Sequence, residues 1–371
     1  MIPLDPNTLS PQAQKIVAPT APEKLQEVAA RGVVPGIRPN ELVAILLLLT
    51  RSERPTVAQT ADKTLAALPD PVLSGALGMD LPPQVVDALA QRYAGRFDVV
   101  ERLLAMPRID ADTVADLAAA GDERLTELIA TNEERLLAHP RIIEKLYLNK
   151  KTRMSTADRI IELAARNGVE CTGLSVWKEA SQAIAGELIV EASEEPTPDD
   201  LLFQETLDLA ERLASQADED THLEDEEGNE HLKDKYLPLY ARIASMTVSQ
   251  RIRHATLGTK EERMLLVRDR NRMVATAVVR SPLMQEAEAA LISRNRNMSD
   301  EVLRIIGTTA ELVKSYSVKK NLVENPKTPV MIATRLIQHL RESDLRHLAK
   351  SKNVTGPVAE AARRHLERRK N

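Results

Sequence analysis

The sequence predicts an all-α protein built as an α-solenoid, an α-α superhelix of stacked helical units, and three observations carry that prediction. RLLAMPRI at Arg102 to Ile109 returns 33 residues later as RLLAHPRI at Arg135 to Ile142, with seven of eight positions identical. In the C-terminal third, NMSDEV begins at Asn297, NPKTPV at Asn325 and NVTGPV at Asn353, a spacing of 28 residues each time. That is the length of a helix pair with its turns. The hydrophobic share is 43% while aromatics are only 2%. A core must therefore be assembled from Leu, Ile, Val, Ala and Met, which suits close helix packing better than a β-sandwich.

Taken in order, residues 1–40 are proline-rich and read as an N-terminal arm with one short helix around Pro22 to Ala30. Residues 41–190 read as a first block of helical repeats. LVAILLLL at Leu42 to Leu49 falls far short of the roughly 20 residues of a membrane span, so it is expected as a buried helix. After the polar turn RSERP, TVAQTADKTLAAL places Val57, Ala61, Leu65 and Leu68 on one face of a second helix. This long apolar helix followed by a P-x-V-x-x-x-A helix resembles the HEAT repeat, an armadillo-type fold. In LPDPVLSGALG and LPPQVVDALAQRY each proline falls in or near a first turn, where its missing N–H costs nothing. In both octapeptide copies Leu-Leu-Ala ends one helix and Pro-Arg-Ile opens the next. Ser155 or Thr156 then offers an N-cap for a helix that stops near Asn167-Gly168.

Residues 191–235 read as an acidic linker containing one helix from Leu201. Its segment 218–230 has eight acidic residues and no basic one, a composition expected of a mobile loop. Residues 236–371 form the second block. In the 28-residue repeat, Asp300, Thr328 and Gly356 are the expected caps, Val302, Val330 and Val358 take equivalent positions, and Ile305-Ile306, Ala333-Thr334 and Ala361-Ala362 follow on the inward face. The string VENPKTP around Asn325 to Pro329 resembles the leucine-rich-repeat-variant family over roughly Lys260 to Leu366. That resemblance implies a right-handed superhelix of alternating α and 3₁₀ helices and no catalytic residue. The iron–sulfur cluster of the family's first-described type is not implied, because Cys171 is the single cysteine.

Charge divides the chain. Residues 251–371 hold 25 Lys and Arg against 13 Asp and Glu, or +12, which leaves −17 of the net −5 for residues 1–250. No phosphate-binding loop, dinucleotide fingerprint, nucleophile elbow or paired-histidine spacing occurs, so no cofactor, metal or catalytic residue is assigned. Trp177 and His139 read as packing and turn residues, and Cys171 as a buried free thiol. Six arginines in the second block could line one edge and hold anions or nucleic acid: Arg268, Arg270, Arg272, Arg280, Arg294 and Arg296. Interleaved Asp269 and scarce aromatics weigh against that use. An intramolecular role is a further expectation, with the acidic loop covering this ridge until a partner displaces it. The N-terminus lacks the pattern of a secretory signal, which makes the cytoplasm the expected compartment, without membrane contact. The function expected first is non-enzymatic scaffolding through a protein partner. Nucleic-acid binding by the basic block is second, and a HEAT-like DNA-repair glycosylase third.

Overall fold

Local chemistry sets the helix boundaries. Proline stands in the first turn of Pro11–Val17, Pro39–Leu49, Pro55–Ala66, Pro83–Arg92 and Pro140–Leu148. Side chains open others, with Asp110, Asp122, Thr247 and Ser299 each accepting a first-turn N–H. Gly168, at φ 68°, ends helix Met154–Arg166 in the left-handed conformation that a side chain would oppose. The computed structural model describes residues 4–185, 195–214, 221–224, 230–351 and 353–370, with positions 189, 191 and 193. Among these residues the chain is helical, with 24 α-helices, short 3₁₀ turns and one antiparallel ribbon that pairs His222–Glu224 with Glu230–Leu232. Of the expected acidic loop, residues 218–220 and 225–229 lie outside the described residues.

The chain divides into two compact units, Met1–Thr152 and Arg153–Asn371. This division lies ahead of the 191–235 stretch because helix Pro198–Ala214, expected inside a linker, packs on Met154–Arg166, Leu237–Ser245 and Lys260–Leu266. It buries Phe203, Leu207 and Ala210 there. One carboxylate fixes this packing within the second unit. Asp200 accepts the N–H and hydroxyl of Ser155 and the N–H and hydroxyl of Thr197, tying the starts of two helices together. Ser155 and Thr156 are thus first-turn residues of a helix whose N-cap is Arg153. Burial pushes the Asp200 carboxyl up, but the combined hydrogen bonds outweigh it and hold the group below its ordinary value.

In the first unit the proline-rich arm forms two helices, Pro11–Val17 and Glu23–Ala30, which pack on Pro39–Leu49 and Pro55–Ala66. The apolar run Leu42 to Leu49 is buried except for Leu48, and Val57, Ala61, Leu65 and Leu68 are buried together, as their spacing predicts. Pro83–Arg92 packs on Ala111–Ala120, which packs on Pro140–Leu148; alongside, Asp70–Leu77 packs on Phe97–Leu104, which packs on Glu123–Ala130. The octapeptide copies part at their prolines. Pro140 opens a helix, but Pro107 lies in a turn, because Asp110 caps the N–H of Asp112 and starts the helix at Ala111. Ile143 stands at the matching place in the second copy and cannot cap. The repeated arginine keeps its role in both, since Arg108 pairs with Asp80 and Arg141 with Asp112.

In the second unit five helices pack each on the next: Val248–Leu257, Arg272–Arg280, Asp300–Thr308, Val330–Ile337 and Gly356–Lys370. The last three begin five residues after the C-caps Asn295, Asn325 and Ser351, each of which accepts the N–H two residues on. The structural period is thus 30 and then 26 residues instead of a uniform 28. This slip corrects the middle copy: Val330 is 41% exposed, and Ile332 takes the place of Val302 and Val358. Val302-Leu303-Ile306, Ile332-Ala333-Leu336 and Val358-Ala359-Ala362 form the recurring buried face.

Polar side chains repeatedly reach back to a helix-end carbonyl 25 to 32 residues earlier within the same compact unit. Tyr93 donates to the carbonyl of Leu65, Arg135 to Leu104, Ser281 to Thr256 and Arg335 to Gly307. Asn149 donates to Ala118 and Gly121, and Asn325 to Ser293 and Asn295, all at 2.8–2.9 Å. Each bond satisfies a carbonyl that its own helix leaves without a partner. Asn149-Lys150-Lys151-Thr152 and Asn325-Pro326-Lys327-Thr328 are the same turn, with the asparagine oxygen accepting from Lys151 or Lys327.

Candidate binding cleft

The second unit holds a cleft of about 720 Å³ beside helices Leu237–Ser245 and Lys260–Leu266. Leu237, Tyr240, Ile243, Leu265 and Leu266 supply its apolar lining, and Arg251, Arg268, Asp269 and Arg270 its charged part. Leu237 and Tyr240 are 49% and 52% exposed, which is unusual for large apolar side chains on adjacent turns of a helix. His222 and Leu232, at the base of the ribbon, complete one wall.

Two Thr-x-x-Gln/Glu capping boxes place this lining. Thr247 with Gln250 and Thr259 with Glu262 open consecutive helices, cutting the run LPLYARIASMTVSQRIRHATLG into two at Met246. Helix Lys260–Leu266 is buried from Glu261 onward, so its polar residues need internal partners. Glu262 accepts the N–H of Thr259 with one oxygen and meets His254 Nδ1 at 2.6 Å with the other. Arg263 donates to the carbonyl of Gly258 at 2.7 Å and to Glu288 at 2.8 Å. Behind them the Arg253 guanidinium lies 4.7 Å over the Phe203 ring, whose centroid is 4.3 Å from that of His254. Gly258 leaves no room for a side chain: a Cβ there would lie 2.5 Å from both the His254 carbonyl and Glu262 Oε2.

The turn Val267 to Asn271 carries the arginines. Asp269 has one oxygen on Arg251 at 2.6 Å and the other on the Asn271 N–H at 2.7 Å. Asn271 in turn caps helix Arg272–Arg280. The interleaved acid that weighed against anion binding is therefore engaged in shaping the turn. Arg268 donates to the Met264 carbonyl, and Arg270 is exposed.

Of the six arginines singled out by sequence, the structure brings Arg268 and Arg270 into this cleft. Arg272 lies 3.9 Å from Glu301, and Arg280 lies 3.1 Å from Glu179. Arg304 first, then Arg272 and Arg280, hold the Glu301 carboxyl below its ordinary value. Arg294 and Arg296 are exposed at the end of helix Glu286–Arg294 and are not among the cleft-lining residues. Sequence reasoning passed over Leu237, Tyr240 and Arg251, although the capping boxes that position them were present as a signal. Trp177 is half-buried at the start of its helix, His139 is exposed at a helix start, and Cys171 is buried outside any disulfide.

Among the described residues no cluster of His, Cys, Asp or Glu could hold a metal ion, and no helix is long and apolar enough to cross a membrane. No family model, no curated protein and no solved structure matches the chain.

Proposed function

We propose that the protein is a non-enzymatic helical-repeat scaffold, an α-solenoid of the HEAT-like or leucine-rich-repeat-variant kind, that binds a protein partner. The observation that carries this reading is the cleft, with its exposed apolar residues beside an arginine turn. Hydrogen bonds that each reach back 25 to 32 residues support the solenoid half of the reading. A rigid stack of this sort presents surface without needing a reactive centre.

The test is site-specific photocross-linking in the native cell, with benzoylphenylalanine at position 240. A protein adduct that disappears in the R268E/R270E variant is expected. No adduct overturns the reading. Nucleic-acid binding is the second reading, favoured by the placing of Tyr240 with Arg268 and Arg270, since an aromatic face beside cations can receive a base and its phosphate. It predicts a nucleic-acid adduct instead, and duplex or single-strand binding that falls steeply between about 50 and 200 mM salt.

A further inference from the structure

The lining of the cleft specifies its ligand more closely than the proposed function alone, on which this inference rests. Among the described residues three arginines and one aspartate line it, an excess of two positive charges. Asp269 is already engaged by Arg251 and the Asn271 N–H, so it offers little to an incoming cation. Among the described residues the apolar side is mainly aliphatic, from Leu237, Ile243, Leu265 and Leu266, with the Tyr240 ring beside them and the His222 imidazole on the ribbon wall. Bases stack on aromatic planes, whereas aliphatic pockets receive aliphatic or aromatic side chains. Arginine forks pair with carboxylates in a fixed planar geometry.

We infer that the cleft binds an acidic peptide segment of a partner protein, in which carboxylates flank a large apolar anchor. The anchor lies against Leu237 and Tyr240, and the carboxylates face Arg268 and Arg270. The underlying helix is suited to this task because buried bonds from Glu262 and Arg263 hold it, so little order remains to be gained on binding.

The experiment pans a random 16-residue peptide library on phage against the full-length chain and measures the selected peptides by fluorescence anisotropy. Expected are Asp- and Glu-rich sequences with one or two Leu, Ile or Phe, whose affinity falls at least tenfold in R268E/R270E and in Y240A, variants of surface side chains whose folding circular dichroism checks. Replacing the acids of a selected peptide by Asn and Gln should cost a comparable factor. Selected peptides that are basic or neutral, or that bind both variants unchanged, overturn the inference and leave the protein-binding reading standing. An empty selection overturns the inference as well. Labelled 20-nucleotide RNA or DNA that competes with the peptide, and itself loses affinity in R268E/R270E, overturns both.

Discussion

Asn149 and Asn325 show what a single side chain does in this fold. Each closes its own turn through its oxygen and uses its amide to satisfy two helix-end carbonyls 28 to 32 residues earlier. Replacing either by Ala leaves three backbone groups short of a partner, and we expect a loss of about 1–3 kcal/mol in urea unfolding. The turn is legible in the sequence as Asn-x-Lys-Thr, but only the copy with flanking prolines draws notice, because proline is the louder signal of a turn. Two buried aspartates make opposite predictions with pH. Asp200 is held below its ordinary value, so its stabilisation is present above the unfolded pKa of about 3.9 and is lost as pH falls through the lower folded value. D200N should destabilise by about 1–3 kcal/mol at pH 7 and by progressively less toward pH 3. Asp87 is pushed up, chiefly by burial, against hydrogen bonds from Asp110 and Thr113. Its contribution is present below about pH 3.9 and lost as pH rises through the raised folded value, so D87N should be neutral or stabilising at pH 7. Urea midpoints for both variants across pH 3–7 would separate the two signs.

At the scale of one element, helix Lys260–Leu266 is the informative case. It is short and buried nearly all round, so propensity alone would not hold it, and its stability comes from partners on neighbouring helices. Arg263 and Glu288 are a buried pair, with side chains 5% and 1% exposed. Removing one partner strands the other charge and should cost about 3–5 kcal/mol, whereas R263L/E288L together should cost much less than the sum. A double-mutant cycle in urea unfolding measures the difference. G258A should cost on the order of 1–3 kcal/mol, because the added methyl meets a carbonyl and the Glu262 carboxylate at once. Helix periodicity and proline punctuation made most elements readable. The boundary at Met246 and the start at Ala111 were not read, since both depend on which polar residue wins the competition to cap. The cleft escaped for a related reason: Leu237 and Tyr240 look like core residues in sequence, and only packing shows that they stay half exposed.

At the scale of the molecule, the second unit shows why a repeat in letters and a repeat in space need not share a period. Matching asparagines 28 residues apart aligns Val330 with Val302, yet packing aligns Ile332 with it, because the turns start at Asn295, Asn325 and Ser351. Apolar residues at several neighbouring positions allow the slip, and burial chooses the register. A deletion of residues 325–350 brings Ser351 to the place of Asn325 and preserves the five-residue step to the next helix. It should unfold as cooperatively as the full chain, while deletion of residues 325–337 should not; circular dichroism through a urea titration reads the contrast. The reach-back bonds of Asn325, Arg335 and Ser281 carry a consequence for descent. Duplications and losses of whole helix pairs keep a helix end before each remaining donor, whereas those of other lengths misplace it, so length in such a lineage should change by steps of a helix pair.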